Sequence, residues 1–65
     1  MRKVLTTFSH PSGKRVDVYL IGRRYHAETV SPTGKILKKE TFDDTLALNS
    51  YLEMIAGDGY QETSQ

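Results

Sequence analysis

Ser31-Pro32-Thr33-Gly34-Lys35 repeats the pattern of His10-Pro11-Ser12-Gly13-Lys14, and these two pentapeptides decide how the first two-thirds of the chain is read. In each, Pro presets φ for position i+1 of a type I turn and the following Ser or Thr tolerates the next position. Gly then takes the left-handed conformation that completes a three-residue hairpin loop with a bulge. Both sites predict β-hairpin turns. The runs that flank them are rich in β-branched and aromatic residues: Lys3 to Ser9, Arg15 to Ile21, Tyr25 to Val30 and Ile36 to Thr41. A two-residue loop at Gly22-Arg23 joins the middle pair, so the pattern predicts a four-stranded antiparallel meander.

Alternation assigns faces to two of these strands. Val16, Val18 and Leu20 share one face of the second, with Arg15, Asp17, Tyr19 and Ile21 on the other. In the third, Tyr25, Ala27 and Thr29 alternate with Arg24, His26 and Glu28, which predicts a basic outer side. The fourth strand carries both readings: Ile36 and Phe42 are in phase with Lys38 and Glu40, Leu37 with Lys39 and Thr41.

After Phe42 the period changes to about 3.6. Asp43 is the expected N-cap, Asp44 adds charge to the first turn, and Gly57 is the expected stop. Leu48, Tyr51, Leu52 and Ile55 form one apolar stripe, so a helix from about Asp44 to Ala56 covers one face of the sheet. The fold class is therefore α+β: a four-stranded antiparallel β-meander followed by one C-terminal helix packed on the sheet. Residues 1–59 form a single ββββα domain, and residues 60–65 are expected to be a short, frayed polar tail.

With 65 residues, the chain makes one thin-cored domain. A domain of this size buries only about 60% of its unfolded surface. The absence of Cys excludes disulfides and thiolate zinc sites, leaving a partner or self-association as reinforcement. No segment reaches the roughly 20 apolar residues of a membrane span, and no apolar leader opens the chain, so a cytoplasmic protein without a membrane partner is expected.

Charge is strongly divided along the sequence. Residues 1–39 hold all nine Lys and Arg with two acids, a formal +7, and residues 40–65 hold six acids and no base, −6. Such asymmetry points toward an anionic partner. The chemistry of catalysis is not legible. Neither Gly-Lys pair has the earlier Gly of a phosphate-binding loop, and Arg15 and Ile36 stand where its Ser or Thr belongs. Neighbours on a strand point to opposite faces, so Ser9 and His10 are no nucleophile-base pair, and His10 and His26 read as exposed imidazoles. Asp43 and Asp44 read as helix capping rather than an acid-base dyad. No enzymatic activity, metal or cofactor is expected.

From Tyr25 the chain runs Tyr-His-Ala-Glu-Thr, then Pro32-Thr33-Gly34-Lys35, a strand, Thr41-Phe42-Asp43, and a helix holding Leu46, Ala47 and Tyr51. Over about half its length it resembles the ethylene-responsive-type plant DNA-binding domain and the arm-site DNA-binding domain of tyrosine integrases. It differs in having Tyr25 where Trp is frequent and Glu40 rather than Gly before Thr41, and in lacking an Ala pair at Ala47-Leu48. The resemblance implies a three-stranded sheet backed by a helix, with the sheet reading DNA. The same order of elements is also similar to small phage-encoded inhibitors of host enzymes.

Two functions follow as expectations. The first is a small non-catalytic nucleic-acid-binding or regulatory module, with Arg15, Arg23, Arg24 and His26 on an exposed sheet face and Lys14, Lys35 and Lys39 contacting phosphates. The second is a protein-interaction module or inhibitor acting through a strand edge or the acidic helix, with Arg2 to Ser9 and the strand after Gly34 as candidate edges. A homo-oligomer is a third arrangement the sequence allows.

Overall fold

The computed structural model describes residues 3–63. Four antiparallel strands follow one another as a meander: β1 Lys3–Ser9, β2 Arg15–Ile21, β3 Arg24–Val30 and β4 Ile36–Phe42. Helix α1 spans Thr45–Gly57, and a short strand, β5 Gln61–Glu62, closes the chain's path. The sheet order is β4-β3-β2-β1-β5, every pair antiparallel.

The two matching turns form as their residues dictate. Gly13 and Gly34 have φ of 94° and 91°, and their amides donate to the carbonyls of His10 and Ser31, each at 2.9 Å. The turns also touch: a Cβ placed on Gly13 would stand 3.0 Å from Pro32 Cγ. Strand boundaries agree with the sequence reading to one residue, β3 starting at Arg24 and β4 ending at Phe42.

The register settles which way β4 faces. Phe42 lies opposite Tyr25, Glu40 opposite Ala27 and Lys38 opposite Thr29, so these three face the helix. Lys39 and Thr41 lie opposite Glu28 and His26 on the open side. The pairing slips between Thr29 and Val30, which leaves Leu37 as an extra residue, so that Ile36 and Leu37 together stand opposite Val30.

Phe8, Val16, Val18 and Ala27 from the sheet meet Leu48 and Ile55 from α1 in the core, with Tyr25, Phe42, Tyr51, Leu52 and Tyr60 packed around them. Burying Leu48 and Ile55 is worth about 1.5–3 kcal/mol each, a large share for so small a core.

Both helix ends shift from the sequence expectation. Asp44, not Asp43, is the N-cap, its Oδ1 accepting from the Ala47 amide at 2.8 Å. Asp43 lies one residue outside the cap, paired instead with Arg24 at 3.5 Å. At the other end Gly57 is still helical, and Gly59, with φ of 101°, takes the left-handed position. The amide of Gly59 donates to Ala56 at 3.2 Å and that of Tyr60 to Ile55 at 3.1 Å, a Schellman closure that turns Tyr60 onto the core.

The segment after Gly59 is also more ordered in its bonding than a frayed tail. Gln61 and Glu62 pair with Ser9 and Phe8, and the Thr63 amide donates to the Thr7 carbonyl at 2.7 Å. Turning the chain at Gly59 aims it along the outer side of β1, whose unpaired backbone groups supply partners that polar composition alone does not reveal.

Candidate interaction surfaces

The face of the sheet turned away from α1 is built on an awkward pair. Asp17 and Glu28 lie directly opposite one another on β2 and β3, and like charges in that position repel. Flanking strands resolve the conflict by extending the row to Thr7-Asp17-Glu28-Lys39. The Thr7 hydroxyl donates to Asp17 Oδ1 at 3.3 Å, and Arg15 Nε donates to both Asp17 oxygens at the same distance. Glu28 is only 4% exposed, and its Oε2 accepts from the Tyr19 hydroxyl at 2.9 Å with Lys39 Nζ at 3.7 Å. Tyr19 stacks on His26 at 5.1 Å between centroids, and His26 Nδ1 lies 3.3 Å from Thr41 Oγ1. The predicted outer side of β3 does face away from the helix, but its centre holds a buried carboxylate rather than free positive charge.

The cations singled out from sequence occupy three places. Lys14 and Lys35 follow the two touching turns at one end of the sheet, beside Arg15 at the start of β2. Arg23 sits in the β2-β3 turn at the opposite end, with Arg24 next to it; a seven-residue strand separates the ends by about 20 Å. Lys39 and His26 lie on the face between them. Arg15, Arg24 and Lys39 each have an acid within 4 Å, in Asp17, Asp43 and Glu28. Lys14, Arg23 and Lys35 are exposed and form no ion pair with another described residue. These cations are thus spread round both ends of the sheet, with Asp17 and Glu28 between them.

Neither histidine is the exposed imidazole expected. His10 is partly buried, Nδ1 accepting from the Ser12 amide at 3.0 Å and Nε2 lying 3.1 Å from the Asp58 carbonyl. Its ring meets Tyr60 at 4.8 Å. Among the described residues no three His, Asp or Glu are grouped as metal ligands, and no helix is long and apolar enough to cross a membrane.

The two edges of the sheet differ. Along β1, the outer backbone is engaged by β5 and Thr63 over Thr7, Phe8 and Ser9, and Thr6 Oγ1 donates to Glu62 at 2.6 Å. Along β4, no described residue pairs with the outer side over all seven residues. Apolar side chains are exposed there: Ile36 at 47% and Leu37 at 50%. Lys38 is held at 3.0 Å from Glu40, which raises its pKa above the usual 10.5 through the hydrogen bond first and charge second. Sequence reasoning named this strand as a candidate edge; the exposed Ile36-Leu37 pair escaped it, because a bulge breaks the alternation that assigns faces.

No protein-family model, curated protein or solved structure matches the chain.

Proposed function

We propose that the chain is a small, non-catalytic protein-interaction module that takes up an extended segment of its partner along the open edge of β4. The observation that carries this reading is the unequal treatment of the two edges. The chain spends its last described residues on Thr7 to Ser9 of β1, leaving Val4 and Leu5 exposed in that strand's other half, whereas no described residue pairs with the outer side of β4 anywhere along its length, beside exposed Ile36 and Leu37. Such an edge is a template for strand addition, in which main-chain hydrogen bonds supply affinity and alternate side chains supply selectivity. Lys38, which could guard the edge as a free cation, is held instead by Glu40 at 3.0 Å. The test is selection of binding octapeptides from a random display library against the whole chain, with the site mapped by amide chemical shifts. Shifts concentrated on Leu37 to Thr41 support the reading; shifts confined to the turns or to α1 reject it.

Nucleic-acid binding is the second reading, and Lys14 and Lys35 favour it. They follow adjoining turns and have no ion partner among the described residues. On this reading Arg23 would contact phosphate or base directly, and Arg15, Arg24, His26 and Lys39 would exchange their internal partners for phosphates or bases. Duplex affinity would then fall with salt at a slope of about −0.9 per phosphate neutralised, and swapping Lys14 and Lys35 for Glu would abolish it. A salt-independent signal removes this reading.

A further inference from the structure

We propose that the segment received by β4 is acidic: an extended chain that sets a Glu or Asp opposite Lys39 and an aliphatic side chain beside Ile36 and Leu37. This deepens the edge reading and rests on it. Lys35, Lys38 and Lys39 put three cations within five residues of one open strand. Lys38 is satisfied by Glu40 at 3.0 Å, on the helix side. Lys39, on the open side, is not satisfied in the same way. Its side chain is 64% exposed, and Nζ stands 3.7 Å from a Glu28 oxygen that already accepts the Tyr19 hydroxyl. That separation is longer than a hydrogen bond, so the ammonium keeps donors to offer.

A strand added outside β4 places a side chain directly opposite Lys39 at the usual cross-strand spacing, about 4.5–5.5 Å between Cβ atoms. A carboxylate there completes the row Thr7-Asp17-Glu28-Lys39 with an acid on the far side of the lysine. Two or three residues along, the neighbouring position covers Ile36 and Leu37, which are otherwise half exposed. A basic segment would place like charges in opposition at the same point. So would a second copy of this chain paired about a two-fold axis at Lys39, which sets the two Lys39 side chains against each other.

The experiment uses the whole chain and four fluorescein-labelled octapeptides of alternating valine and threonine. Three differ only in one central residue, glutamate, glutamine or lysine; the fourth is the glutamate peptide with alternate backbone nitrogens methylated. Fluorescence anisotropy is expected to rank glutamate above glutamine by about threefold to fivefold, with lysine weakest. Lys39→Gln should bring the ratio of glutamate-peptide to glutamine-peptide affinity to about one, and N-methylation should abolish binding. If all three unmethylated peptides bind equally, the acidic partner is refuted and the edge reading survives. If none binds, both fall, and sedimentation of the chain as a dimer in that case identifies a second copy as the occupant.

Discussion

His10 Nε2 lies 3.1 Å from the main-chain carbonyl oxygen of Asp58, joining the first hairpin turn to the end of the helix across 48 positions. The Ser12 amide, an obligatory donor, points at Nδ1 from 3.0 Å, so the ring proton resides on Nε2 and is donated to Asp58. The imidazole thereby holds the turn out of the helix in place, and with it the start of β5. His10→Ala should cost about 1–2 kcal/mol. The loss should be uneven: the Thr63 amide, bonded to Thr7 at 2.7 Å, should lose exchange protection well before the amides of β2 and β3. Uniform loss of protection across the sheet would show that His10 does not act as a local latch.

The two turns of like sequence allow a matched comparison. Gly13→Ala and Gly34→Ala both force a side chain into left-handed backbone, at about 1–2 kcal/mol. Beyond that the sites part: the new methyl at 13 meets Pro32 Cγ at 3.0 Å, whereas at 34 it meets nothing within 4 Å. Gly13→Ala should therefore melt at the lower temperature. Equal melting temperatures would mean that the turns do not touch in solution.

How much of this was legible in the sequence follows from the range of the forces involved. The turns at Gly13 and Gly34 and the alternation of Val16, Val18 and Ala27 are local, and local chemistry specifies them. The contact of one turn with the other, the docking of Tyr60 and the pairing of Glu62 with Phe8 depend on where the helix ends in space. The capping assignment slipped by one residue because Asp43 and Asp44 are chemically equal candidates, and only backbone geometry chooses between them. Charge was the least legible property. A +7 segment becomes a sheet with Asp17 and Glu28 at its centre, and strand pairing, not sequence order, decides which cations those carboxylates consume.

Leu48 is one of the two buried helix residues, 7% exposed in the core it shares with Phe8, Val16, Val18, Ala27 and Ile55. Leu48→Ala should lower stability by about 2–5 kcal/mol, and Leu48→Asp should abolish the cooperative thermal transition because the charge has no partner in that core. A cooperative transition retained by the Asp variant would refute the packing of α1 on the sheet.

Alkaline pH isolates the Lys38-Glu40 pair. The pKa of Lys38 is raised from 10.5 in the folded chain, first by its hydrogen bond to Glu40 and then by that carboxylate's charge. A group raised on folding stabilises fully below its unfolded value and loses that contribution as pH climbs through the folded one. The melting-temperature gap between the native chain and Lys38→Gln should accordingly be constant at neutral pH and close above 10.5. The side chain is 63% exposed, so the gap should also shrink with salt. A gap independent of both would assign the effect to packing.

Tyr19 and Glu28 provide the strictest test of the open face. The hydroxyl donates to Oε2 at 2.9 Å beside a carboxylate only 4% exposed, so Tyr19→Phe removes a charge-assisted bond while keeping the ring that stacks on His26. Such bonds are worth about 1.5–3 kcal/mol. In a Glu28→Gln background the acceptor is neutral, and the same Tyr19→Phe change should cost less, giving a coupling energy of about 1 kcal/mol in a double-mutant cycle. Strict additivity of the two substitutions would mean that the hydroxyl does not sense the carboxylate's charge. Lys39 Nζ lies 3.7 Å from the same Glu28 oxygen, and Lys39→Met measures that contact separately from the hydroxyl's.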